Sequence, residues 1–128
     1  MYRITKDVKN RIVHVTLSGF LVPEEVEAFA CEEQKAVRDM GCKSGNYSVL
    51  VDTRDLKLQA QNVIARLMEF SENSPLKATK IAIVVGNSVS RMQARRWVGA
   101  TRVGIFSTDK EATDWLLDTS AGLFAAAS

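Results

Sequence analysis

The residues of this chain able to do chemistry fall in four places. His14, the single histidine, sits within the run IVHVTLS, where a metal site or a nucleophile–base pair would need partners brought from far away in the sequence. Asp52, Arg54 and Asp55 stand at and just beyond the end of YSVLVDT, and the carboxyl end of a strand is where open α/β sheets put their ligands. Asp52 also suits a plain loop cap that accepts backbone N–H groups, with Arg54 and Asp55 solvated. Arg91, Arg95 and Arg96 precede Trp97, with Arg102 beyond. The four-residue spacing puts Arg91 and Arg95 on one helical face that could hold a phosphate, an acidic surface or a lipid headgroup, with Trp97 as a stacking plane. Glu111, Asp114 and Asp118 give the opposite sign on a later helix, so the basic and acidic stretches are expected to pair, within or between molecules. Cys31 and Cys42 are too loosely spaced for a metal knuckle or a redox pair and read as free thiols.

No GxSxG elbow, GxxxxGKS loop or GxGxxG fingerprint is present. The commonest hydrolase, nucleotide and dinucleotide chemistries therefore lack their motifs, and no cofactor is expected. Asp52, Arg54 and His14 are the only residues an enzymatic reading could use. Seventeen basic and fifteen acidic residues leave a net charge of +2, too small a field for a dedicated nucleic-acid binder.

The elements that must position these residues follow from periodicity. With 128 residues, 46% of them apolar and 25% charged, the chain can bury about two thirds of its unfolded surface in one core. Residues 2–7 and 11–18 read as two strands joined by a short polar turn at Val8, Lys9 and Asn10. Pro23 with Glu24 and Glu25 opens a helix over about 23–40, whose stripe is Val26, Phe29, Ala30, Val37 and Met40 and whose stop is Gly41. Residues 47–53 form a central strand buried on both faces. RDLKLQ is then a connection, and a helix over about 60–73 carries Val63, Ile64, Leu67 and Met68 inward. TKIAIVVG is a second buried strand, followed by a helix from Ser88 to about Val98. Residues 101–106 make the last strand. Thr108 and Glu111 form a capping box for a fourth helix through about Asp118, with Ala112, Trp115 and Leu116 facing in.

The order is ββαβαβαβα, an α/β fold with an N-terminal hairpin, and residues 120–128 form a tail outside the domain of 1–119. Right-handed crossovers keep successive helices on one face of the sheet. The other face, carrying Leu50 with either Ile81 and Ile83 or Ala82 and Val84, then needs a cover, and a homodimer through it is expected. The N-terminus lacks the apolar core of a signal peptide, and no run of about 18 apolar residues could span a bilayer. A cytoplasmic protein that is not integral to a membrane is expected.

Taken in order, LSGFLVPEEVEAF, YSVLVDTRDL, KIAIVVG and Phe106 before EATDWLL resemble the SpoIIAA-like family of the STAS superfamily, related in fold to CRAL-TRIO lipid-binding domains. The resemblance covers residues 2–117. It implies a five-stranded mixed sheet in a βα superhelix with four helices, and a non-enzymatic role in binding proteins or lipids. In the family's anti-sigma-factor antagonists a serine after the central strand is phosphorylated. The matching stretch here is Ala60, Gln61, Asn62 and Val63, and neither Gln61 nor Asn62 has a hydroxyl to accept a phosphoryl group. What the resemblance leaves is a protein-binding surface made of Asp52, Arg54, Asp55, Gln59, Gln61 and Asn62, on the loop from Thr53 to Asn62 and the helix after it. The alternative is a lipid or small apolar or anionic ligand held near Arg91, Arg95, Arg96 and Trp97.

Overall fold

The computed structural model describes residues 1–96 and 102–118. Its elements are β1 (Tyr2–Asp7), β2 (Ile12–Gly19), α1 (Pro23–Asp39), β3 (Ser48–Leu56), α2 (Gln61–Asn73), β4 (Lys80–Val84), α3 (Ser88–Arg96), β5 (Arg102–Phe106) and α4 (Asp109–Leu117). They make one five-stranded sheet in the order β1-β2-β3-β4-β5, in which only β1 runs antiparallel to its neighbour. This is the expected mixed sheet with four helices. Trp97 and the tail from 120 to 128 lie outside the described residues.

Local chemistry fixes the boundaries. Arg11 closes the β1–β2 turn at a positive φ of 55°, and Asp7 there accepts both the backbone N–H and the side-chain amide of Asn10. Pro23 and two glutamates open α1. Gly41, at φ 73°, ends it: Gly41 N–H donates to Arg38 and Cys42 N–H to Val37, which satisfies carbonyls the helix leaves open. Thr108 caps α4 by accepting Glu111 N–H at 3.1 Å.

The structure departs from the sequence expectations in two places. First, the strand holding Asp52 does not stop there. β3 runs on to Leu56, paired through a bulge with Ser18 and Gly19 of β2 after its pairing with β4 has ended at Val84. Arg54 and Asp55 are strand residues, and the free loop shrinks to 57–60. The polar letters of RDLKLQ suggested a connection, but its first three residues continue the strand, bonded along only one edge, with Arg54 and Asp55 exposed.

Second, the sheet face opposite α1 is not bare. Register places Leu50 level with Ala82, so Ile12, Leu50, Ala82 and Val84 share one face. Ala112 and Leu116 of α4 pack directly on it, with Trp115 and Phe106 alongside. The crossover rule does hold for the three linking helices. α1 and α2 cover Val13, Val15, Leu17 and Val49, while Ala94 of α3 covers Ile83 and Val85 on the same side. α4 escapes the rule because no described strand follows it, and it folds back over the other face. The reason given for a homodimer through that face is thereby removed. Basic α3 and acidic α4 lie on opposite faces, and among the described residues no ion pair joins the two helices. Asp109 bonds Arg54 and Asp114 bonds Lys110 instead.

Candidate functional site

The parallel strands β2, β3 and β4 all end on one rim of the sheet, the side where α/β folds place their ligands. Its charged half is built from Asp52, Arg54 and Asp109. Arg54 donates Nε and Nη2 to the two oxygens of Asp52 at 3.0 and 2.7 Å, and Nη2 also reaches Asp109 Oδ2 at 2.9 Å. Asp52 accepts Arg54 N–H as well. The expected loop cap therefore exists, but Arg54 is not merely solvated: it ties β3 to the start of α4. Partial burial pushes the Asp52 carboxyl up, and the hydrogen bonds and charge of Arg54 outweigh it, leaving the group below its usual value. Hydrogen bonding to Asp52 in turn raises Arg54. An internally neutralised carboxylate is a poor general base. His14 does not join this group. It lies level with Leu50, two positions short of Thr16, which faces Asp52 across the ladder, and no hydrogen bond links it to Asp52. Among the described residues no cluster of three or more His, Cys, Asp or Glu could hold a metal ion.

The other half of the rim is stitched by two buried amides. Gln59 Oε1 accepts Leu21 N–H at 2.8 Å, and its Nε2 donates to the carbonyls of Gly19 (2.9 Å) and Lys57 (2.6 Å). Gln59 N–H donates to Gln93 Oε1 at 2.8 Å, and Gln93 Nε2 returns to Lys57 O. Three segments from distant parts of the sequence are thus held together: the β2–α1 loop, the β3–α2 loop and α3. Gln59, expected to meet a partner, is buried and positions the loops instead. Gln61 and Asn62 are exposed on the first turn of α2, behind Ala60, which supplies no side-chain cap. Asp55 is exposed too.

Around those amides sits a feature absent from the sequence reading. Five of the nine large exposed apolar side chains among the described residues, Phe20, Val22, Leu58, Val89 and Met92, are on the segments that Gln59 and Gln93 tie together. Phe20 is 72% exposed. The signal lay in the sequence: loop positions holding Phe20, Val22 and Leu58 fall just past strand ends and on no helical stripe. On α3, Arg91 is half-buried and Arg95 and Arg96 are exposed, while the stacking plane proposed for Trp97 lies outside the described residues.

Away from the rim, a cavity of about 110 Å³ opens between α1, α2 and the sheet, walled mainly by apolar side chains such as Leu17, Leu67 and Ile83. Glu33 of α1 faces it at only 4% exposure, and burial raises its carboxyl pKa against the opposing hydrogen bond from Gln34. Tyr47, also lining it, donates to Leu76 O and is itself raised by burial and by Glu33. The sequence reading missed Glu33, yet spacing held the clue: Phe29, Glu33 and Val37 are four apart, which sets a carboxylate on the apolar stripe.

Among the described residues, one five-stranded sheet with three helices on one face and a fourth on the other defines the class as a three-layered α/β fold. The SpoIIAA-like family profile matches residues 12–117, and the chain belongs to that family. Among solved structures it is similar to an uncharacterised protein with a SpoIIAA-like fold from Shewanella loihica PV-4, at 16% identity and a TM-score of 0.71 over 91% of this chain and 92% of that one. It is also similar to an anti-sigma factor antagonist from Mycobacterium paratuberculosis, at 11% identity and a TM-score of 0.59 over 92% and 96% of the two chains. At these identities the likeness is one of fold. No curated protein matches the chain by sequence. No helix of the described residues is long and apolar enough to cross a membrane.

Proposed function

We propose that the chain is a non-catalytic regulatory or scaffold module that binds another protein through the rim at the carboxyl ends of β2, β3 and β4. The observation that carries this reading is the gathering of Phe20, Val22, Leu58, Val89 and Met92 on segments locked by Gln59 and Gln93. Exposed apolar side chains grouped on a rigid frame and bordered by polar groups are the usual makings of a protein interface, because their burial is favourable and little ordering entropy is lost. Gln61 and Asn62 at one border, and the Asp52–Arg54–Asp109 group at another, supply the hydrogen bonds and charge that fix orientation. With no hydroxyl at Gln61 or Asn62, binding at this rim is not switched by phosphorylation of those residues. The likeness to an anti-sigma factor antagonist supports a protein partner by analogy of fold.

Affinity capture from native lysate tests the proposal, with the wild type, a Phe20→Asp/Leu58→Asp double variant and a Val8→Asp control. Val8 is equally solvent-facing but lies in the β1–β2 turn at the opposite end of β2. A partner held by the wild type and the control but lost by the double variant is the expected result. The reading fails if the wild type and the double variant retain the same proteins.

A further inference from the structure

We propose that the cavity beneath α1 and α2 is a binding site in its own right, taking a compact apolar molecule with one protonated amine, for which Glu33 is the counter-ion. Its volume of about 110 Å³ is comparable with the roughly 150 Å³ apolar cavity that accepts benzene in another protein. That is room for a body of about six heavy atoms. One wall is polar, and its character selects the head group. Gln34 Nε2 donates to Glu33 Oε2 at 2.6 Å, while none of the described residues donates to Glu33 Oε1. Lys77 lines the cavity, but its Nζ is committed to the carbonyls of Ser71 and Glu72 at 2.8 and 2.5 Å. The donors of Gln34 and Tyr47 are taken up by Leu76 O and Glu33.

The wall therefore offers an acceptor carboxylate, while the ammonium of Lys77, which also lines the cavity, is turned to the backbone carbonyls of Ser71 and Glu72. An anionic head would meet repulsion there. An ammonium would pair with the Glu33 carboxylate and offset the cost that burial puts on its charge. A wider cleft of about 400 Å³ between α1 and α2 borders the inner cavity and shares Gln34, Phe70 and Ser74 with it. This site is separate from the apolar rim and does not depend on the protein-binding reading.

The test uses the full chain and two isosteric probes, cyclopentylamine and cyclopentanol, titrated by amide chemical shifts into the wild type and Glu33→Gln. The variant keeps the shape of the side chain and removes its charge, so it folds. The expected result is that the wild type prefers the amine by about tenfold, as a charge-assisted hydrogen bond implies. The shifts should centre on Leu67, Phe70 and Ile83, and the preference should vanish in Glu33→Gln while the alcohol binds both proteins alike. Three outcomes would overturn the proposal: neither probe binding at millimolar concentration, equal binding of both to the wild type, or an amine preference that survives in the variant.

Discussion

Gln59 and Gln61 are two residues apart and chemically identical, yet they should respond to truncation very differently. Gln59→Ala removes three hydrogen bonds, to Leu21 N–H, Gly19 O and Lys57 O. The Leu21 donor is left in buried surroundings, which costs about 1–3 kcal/mol. The two carbonyls are partly open to water, and each loses about 0.5–1 kcal/mol of net hydrogen bonding, Lys57 O keeping a bond from Gln93. The sum is about 3 kcal/mol, a fall of roughly 10 °C in Tm for a domain of this size. Gln61 is exposed, and Gln61→Ala should change stability by no more than about 0.5 kcal/mol. Urea unfolding followed by circular dichroism separates the two, since the difference appears as a shift in midpoint at constant slope. If Gln59→Ala unfolds at the wild-type midpoint, or Gln61→Ala costs as much, the two amides do not frame the rim.

Other consequences can be measured in the same way. Arg54→Met should cost only about 0–1 kcal/mol, because Arg54 is 41% exposed and its partners are reached by water, and the loss should shrink in molar salt. Glu33→Gln should gain stability with a particular pH signature. Burial raises the folded-state pKa of Glu33 above its ordinary 4.5, so above that pH the folded chain holds a proton the unfolded chain has released, and wild-type stability falls as pH rises through the window. The variant should match the wild type below pH 4.5 and exceed it progressively above. A constant offset at every pH would contradict the buried-acid description. Leu116→Ala should cost about 2–4 kcal/mol, the usual loss for a buried leucine, without changing the sedimenting mass. A change of mass would mean that the α4 face is closed by a second chain instead.

The layered architecture was readable because each buried strand is a β-branched run and each helix start carries a signal, such as Pro23 with two glutamates or Thr108 with Glu111. What periodicity could not show is where a terminal helix folds. α4 presents Ala112, Trp115 and Leu116 whichever face it covers, and only the register of Leu50 with Ala82 and the small side chains there make the far face its seat. The rim was half legible. Strand ends pointed to Asp52 and Arg54, but a polar letter is the same whether it meets solvent or bonds a backbone 38 residues away, as Gln59 does to Leu21. Asp109 as the second partner of Arg54 arises from a contact 55 residues distant, which no local pattern encodes. Glu33 was the opposite case, visible by spacing and passed over because a glutamate on a helix is ordinarily a solvated face.

The rim can be tested at single-residue resolution by placing a photo-crosslinking amino acid at Phe20, at Leu58 and, as a control, at Val8, then irradiating living cells that express the full chain. A protein-binding rim predicts the same discrete heterologous adduct from positions 20 and 58 and none from position 8. Adducts absent from both rim positions, or equally abundant at position 8, would contradict it.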